Sequence, residues 1–148
     1  MKSKIIKAIA LLTLALSPFF YGNAIAADKS LADAKVVLQI SDANPFKQTL
    51  VLNVAGNLVK AYGQDLVDIE IVAFGPGLRL LFADNANKGR ISALAGSGVK
   101  FSACENTTRN MGKKLGHPPA LNSKAVKVSA GVVRIVDLVK QGYILVKP

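Results

Sequence analysis

The chain has 148 residues, 51% of them hydrophobic, and carries 19 Lys+Arg against 9 Asp+Glu for a net charge of +10. That apolar content excludes a disordered chain, and a single cysteine, Cys104, excludes an internal disulfide framework. One Cys and one His (His117) cannot supply the four ligands of a structural zinc site, so no metal is expected.

Lys2, Lys4 and Lys7 precede an apolar run over 8–20 that Pro18 interrupts, and Ala24-Ile25-Ala26 follows as an A-x-A site. A basic start, a short apolar core and a small-residue cleavage site predict a secretory signal peptide over 1–26, cleaved after Ala26. A run of 13 residues is too short for a bilayer core of about 30 Å, so no stable membrane anchor is expected. The domain at 27–148 is then exported, to the periplasm, and without the three leader lysines its net charge is +7. A chain of this size buries roughly two-thirds of its unfolded surface, enough for a core of its own. A basic balance often signals nucleic acid, but export removes that partner. It leaves anionic small molecules, acidic proteins or an anionic membrane surface.

The first strand is expected over 36–40, a nearly continuous Val-Val-Leu-Gln-Ile run closed by Ser41-Asp42-Ala43-Asn44-Pro45. A helix is expected over 46–62, with Leu50, Val54, Leu58 and Ala61 at helical spacing and Gly63 at its end. A second strand over 66–74 stops at Gly75-Pro76-Gly77, one helical turn follows over 78–82, and a further helix begins near Arg90. A short third strand over 99–101 leads into a polar helix over 105–115, ended by Gly116-His117-Pro118-Pro119. A fourth strand (126–128), a helix (132–140) and a last strand (143–146) complete the chain. Strands alternating with helices predict one α/β domain, a parallel five-stranded sheet doubly wound with right-handed crossovers.

In such sheets ligands bind beyond the carboxyl ends of the strands. Three loops qualify: 41–45, 75–77 and 102–106. The third holds Cys104, at the start of a helix whose unpaired N–H groups and dipole lower a thiol's pKa. Lys100, Arg109, Lys113, Lys114, Lys124 and Lys127 against Glu105 push the same way. Cys104 then reads as a thiolate nucleophile or sulfur carrier, as a small buried hydrophobe, or as an intermolecular disulfide partner. Arg109 gives the C-x4-R spacing of rhodanese-type loops, although Glu105-Asn106-Thr107-Thr108 lacks glycine, and in a helix Arg109 points away from the thiol. Lys100, Asn106, Ser41, Asp42, Gly75 and Gly77 are the remaining candidates for holding an anion. Gly75-Pro76-Gly77 forms either an anion-binding nest or a plain strand-ending turn. No G-x-G-x-x-G follows the first strand and no Walker motif is present, so no nucleotide cofactor is expected. Asn53 and Asn57 share one helix face and suggest a subunit contact or a hydrogen bond to a loop. His117, beside two prolines, reads as a loop residue rather than a base.

The segment Gly98-Val99-Lys100-Phe101-Ser102-Ala103-Cys104-Glu105-Asn106-Thr107 resembles the G-V-x-F-x-x-C-x-N-T stretch of the DsrE/DsrF-like family. Ser41-Asp42, Asn53 and Asn57, Gly75-Pro76-Gly77, Ala130-Gly131-Val132 and the ending from Gln141-Gly142-Tyr143 to Lys147-Pro148 resemble its exported branch. The resemblance implies a three-layer α/β/α sandwich, a homo-oligomer, and a sulfur-relay role. In that role Cys104 carries sulfane sulfur as a persulfide, taken from an inorganic or low-molecular-weight donor and passed to a protein acceptor. The chain departs from the pattern at Phe74, where many relatives carry His, and in its leader.

Overall fold

The computed structural model describes residues 32–148, so the leader expected over 1–26 lies outside the described residues. The apolar runs become β1 (Ala34–Ile40), β2 (Val67–Ala73), β3 (Lys100–Cys104), β4 (Ala125–Val128) and β5 (Ile144–Val146). Between them lie α1 (Pro45–Tyr62), a 3-10 helix (Gly75–Leu81), α2 (Lys88–Gly96), α3 (Glu105–Leu115) and α4 (Gly131–Lys140). All five strands pair parallel, in the order β4-β3-β2-β1-β5. Among the described residues no helix is long and apolar enough to cross a membrane.

Alternation along the strands sorts the core into two faces. Val36, Leu38 and Ile40 of β1 stand in register with Ile69, Ile71 and Ala73 of β2, and Ile71 and Ala73 with Phe101 and Ala103 of β3. This set packs against Val51, Leu52 and Ala55 of α1, Leu78, Leu80 and Leu81 of the 3-10 helix, and Ile91 of α2. Each fully buried Leu, Ile or Phe contributes roughly 1.5–3 kcal/mol. The opposite face is covered by α4, whose Ile135 and Leu138 meet Val37, Val72 and Tyr143. The crossovers explain the split. Steps from β1 through β4 run one way across the sheet and keep their helices on one side, whereas the return from β4 to β5 places α4 on the other.

α1 begins as its sequence suggests: Asn44 Oδ1 accepts from the Phe46 N–H at 2.9 Å, with Pro45 in the first turn. Its buried stripe is Gln48, Val51, Leu52 and Ala55, while Leu50 and Ala61 are exposed. Of the spacing Leu50-Val54-Leu58-Ala61, Val54 and Leu58 pack against the core at its margin, while Leu50 and Ala61 face outward, since apolar residues on several faces of the helix do not define its inward direction. The Gly-Pro-Gly stretch is no plain turn either. It opens the 3-10 helix, and Gly77 packs against the end of β1 so closely that a Cβ there would lie 2.4 Å from the Ile40 carbonyl oxygen.

Candidate active site around Cys104

β3 and β4 are neighbours whose following helices leave to opposite faces of the sheet, which makes the gap beyond their carboxyl ends the topological switch point. Cys104 stands there. It is the last residue of β3, pairs with Val128 of β4 and forms the N-cap of α3, with φ −67° and ψ 116°. A Ser or Asp at an N-cap accepts from the N–H groups two and three residues on. Here those groups belong to Asn106 and Thr107; the sulfur that stands in place of the oxygen closes no full cap bond with them, so they act on it as nearby dipoles. After Val128 the chain turns through Ser129 and Ala130 into α4, whose first residue, Gly131, is buried. Ala130 supplies no side-chain cap, so the N–H groups of this second helix start are also open to a neighbour.

The thiol is 4% exposed. Burial pushes its pKa up, but the Thr107 hydroxyl, the Gly131 N–H, and the Thr107 and Asn106 N–H groups push it down more strongly, so it rests below the ordinary thiol range. The Thr107 hydroxyl is polarised for this task because its oxygen accepts from the Gly75 N–H at 2.9 Å, leaving its hydrogen for the sulfur. Thr108 donates to the Cys104 carbonyl at 3.0 Å and tightens the same turn. Two helix starts and one hydroxyl therefore act together to lower the pKa of one sulfur. This suits a thiolate, or any anionic sulfur attached to it.

Of the residues singled out in the sequence, Asn106 and Gly75 belong to this arrangement, through backbone N–H groups. The rest stand apart. The Arg109 guanidinium is held by the Asn106 side-chain oxygen on the exposed side of α3. Lys100 lies four residues back along β3, about 13 Å from Cys104, and pairs with Asp68 at 3.0 Å. Ser41 and Asp42 follow β1, two strands or about 10 Å away from β3. Ser41 Oγ accepts from Gln39 at 3.2 Å, and Asp42 caps the Asn44 N–H at 2.9 Å while bridging Lys47 at 2.7 Å. The Lys47 and Asn44 bonds hold the Asp42 carboxyl below the usual range. Gly77 serves packing. Asn53 accepts from Arg90 of α2 at 2.6 Å, and His117 is exposed.

Thr107 and Gly131 act on the thiol, and the sequence alone marks neither as a site residue. Thr107 was legible as a hydroxyl at the third helical position after the cysteine. Gly131 was legible only once β4 is known to lie beside β3. Beside Thr107 opens a cleft of about 210 Å³ lined by Gly75, Pro76, Thr107, Asn110, Met111 and Lys114. Among the described residues no group of three or more His, Cys, Asp or Glu is placed to hold a metal ion.

Removing the hydroxyl tests this electrostatic account. Thr107→Val is expected to raise the pH midpoint of Cys104 alkylation by about one unit, the scale of a lost hydrogen bond to a charged group. Thr107→Ser keeps the hydroxyl and the wild-type midpoint. The lowered pKa also predicts a sign for stability. The thiolate's contribution is fully present above the unfolded thiol's pKa and disappears as pH falls through the folded one.

No family model and no curated protein matches the chain. Among solved structures, the protein of unknown function MTH1491 from Methanobacterium thermoautotrophicum is 33% identical and superposes with a TM-score of 0.69. The match covers 78% of this chain and 100% of that one. With that identity over the whole of its relative and the same parallel α/β fold, the chain belongs to the family of MTH1491.

Proposed function

We propose that the protein is an exported sulfur carrier of the DsrE/DsrF-like kind, holding sulfane sulfur on Cys104 and passing it to a protein acceptor. What carries this reading is the placement of Cys104 at the N-cap of α3, on the strand beside β4 and near the buried start of α4, with the Thr107 hydroxyl at hand and its pKa held below the ordinary thiol range. The resemblance of the 98–107 segment supports the same assignment.

In this mechanism the Cys104 thiolate attacks the sulfane sulfur of a polysulfide or thiosulfate. A Cys104 Sγ–S bond forms as the donor's S–S bond breaks, and the shortened polysulfide, or sulfite, leaves with the electron pair. The negative charge moves to the outer sulfur of the persulfide, still within reach of the N–H groups of the two helix starts. An acceptor thiolate then attacks that outer sulfur and releases Cys104 as thiolate. The exchange involves no net oxidation and needs no cofactor. A thiol pKa near ambient pH suits it best, because deeper depression weakens the nucleophile. Cys104 is the chain's one cysteine, so release depends on a second molecule. Cys104→Ala is expected to abolish polysulfide-dependent sulfur loading, and loading that survives the substitution contradicts the reading.

The same reading includes a homo-oligomer. α4 carries Val132, Val133, Val136 and Val139 on its outer side in addition to its buried face, and Val126 of β4 and Leu145 of β5 are exposed on the same side of the sheet. Exposed apolar area of this extent beside the sheet contact marks an interaction surface. Asp137 and Lys140 lie on the same outer side, opposite charges that a two-fold contact pairs across copies. Light scattering is expected to give a multiple of the chain mass, and Val136→Asp a smaller species.

The low exposure of the thiol favours a second reading, in which Cys104 only fills space in an oligomeric module that binds an anion or an acidic protein. Alkylation separates the two. A packing cysteine reacts slowly in the native protein and fast after unfolding, whereas a working thiolate reacts in the native state with a depressed pH midpoint.

A further inference from the structure

The sheet face beneath α4 is not a plain apolar one. Glu70 of β2 points into it at 1% exposure and is fully bonded. Its Oε1 accepts from Ser102 at 2.5 Å and from Arg134 Nε at 2.8 Å, and its Oε2 accepts from Arg134 Nη2 at 2.6 Å. The carboxylate thus ties together three elements: β2, which bears it; β3, two residues before Cys104 on the same face; and α4, one turn beyond Gly131. Glu70 and desolvation act on Arg134 in opposite directions, and the pairing wins, raising the guanidinium pKa.

α4 has little else to fix its start. It has no side-chain cap and no acidic residue in its first turn, and its apolar anchors, Ile135 and Leu138, lie further along. The start is nonetheless tightly seated. A Cβ on Gly131 would come 2.9 Å from Phe74 Cβ, so the backbone approaches this wall as closely as glycine allows. Charged groups on the elements around Cys104 include Glu105 and Arg109 on α3, Lys127 on β4 and Arg134 on α4; Glu105, Arg109 and Lys127 are exposed, whereas Arg134 is half-buried and paired with the buried Glu70.

We propose that the Glu70–Arg134 pair is a positioning device for the thiol: its two-bond fork fixes the first turn of α4 on β2, so that the Gly131 N–H is held against Cys104. Arg134 and Glu70 touch no substrate and act through Gly131. The inference deepens the sulfur-carrier reading and rests on it for its purpose, but its test does not depend on sulfur being loaded.

The test is the pH dependence of Cys104 alkylation in the full chain, with the Gly131 amide followed by NMR through the same titration. Arg134→Met is expected to raise the midpoint by about half a unit or more, as a hydrogen bond to the thiolate weakens. Arg134→Lys keeps the charge but loses the fork, and it too is expected to raise the midpoint while shrinking the titration shift of the Gly131 amide. Tyr143→Phe removes a bond at the far end of the same face, 2.7 Å to Asp68, and is expected to leave both readouts unchanged. Arg134→Lys remains decisive if Arg134→Met does not fold. A wild-type midpoint in folded Arg134→Lys, or an equal shift in Tyr143→Phe, overturns the proposal. Wild-type protein that takes up no sulfur overturns the carrier reading alone, and the midpoints still decide this one.

Discussion

Gly77→Ala is expected to lower the unfolding free energy by about 3 kcal/mol, read as a reduced urea midpoint. The added Cβ would lie 2.4 Å from the Ile40 oxygen, 2.6 Å from the Ile40 carbonyl carbon and 2.7 Å from the Ser41 nitrogen. All three are backbone atoms at the end of a central strand, so no rotamer change relieves the clash. The Ile40 oxygen also accepts from the Phe74 N–H at 3.2 Å, which anchors it in place. Relief requires the 3-10 helix to move off β1. Such movement carries Gly75 with it and disturbs the bond from its N–H to Thr107, so the thiol midpoint is expected to rise in parallel. Gly56→Ala is the control. It lies inside α1 with nothing within 4 Å of its Cβ position, and it is expected to stabilise by about 0.5–1 kcal/mol.

Lys100→Met is expected to cost about 3 kcal/mol, because it strands a buried charge. Asp68 is 0% exposed and is held through Oδ2, by Lys100 at 3.0 Å and Tyr143 at 2.7 Å, while its Oδ1 has no partner among the described residues. Without Lys100 that buried carboxylate keeps the Tyr143 hydroxyl as its hydrogen-bond partner, with Lys35 of β1 in register beside it. Methionine keeps the stem of the side chain, so the loss is electrostatic rather than a cavity. The double variant Asp68→Leu/Lys100→Met removes both charges and is expected to recover most of the stability. The same variant separates two roles for Lys100. Tied to Asp68 and about 13 Å along the strand from the thiol, it is expected to leave the alkylation midpoint unchanged. A lysine that gathers an anionic donor would instead slow sulfur loading without lowering stability.

Most of the fold was legible because the signals are local. Four of the five strands are short runs with Val or Ile, β3 (Lys-Phe-Ser-Ala-Cys) being the exception, and helices have punctuation where the chain turns: Asn44-Pro45 before α1, Gly63 after it, and Gly116, with φ +80°, after α3. The position of Cys104 followed from the same local order, a strand end leading directly into a helix. What could not be read locally was everything that depends on strand neighbours. Lys100 looks like a free cation near the cysteine until β2 is known to lie beside β3, which brings Asp68 to meet it. Gly131 looks like a helix-start glycine until β4 proves to flank β3. Arg109 illustrates a periodicity limit: its spacing from the cysteine fits a loop, but in a helix that spacing carries the guanidinium to Asn106 instead.

The acids on β2 show the same limit from another side. A run reading Val-Asp-Ile-Glu-Ile-Val-Ala suggests alternation with a wet face, yet both acids are buried beneath α4 and paired there. One helix covers that face, so polar groups of the sheet are matched by Lys100, Arg134 and Tyr143 rather than by water. Those partners come from β3, α4 and the approach to β5, and none is close in sequence to the acid it meets.

The most direct test of the central claim is the intact mass of the protein after incubation with polysulfide, with and without reductant, beside Cys104→Ala. The wild type is expected to gain whole sulfur atoms, removed by reductant and absent from the variant. An unchanged wild-type mass, together with a native thiol that resists alkylation, would contradict the claim and leave Cys104 as a packing residue.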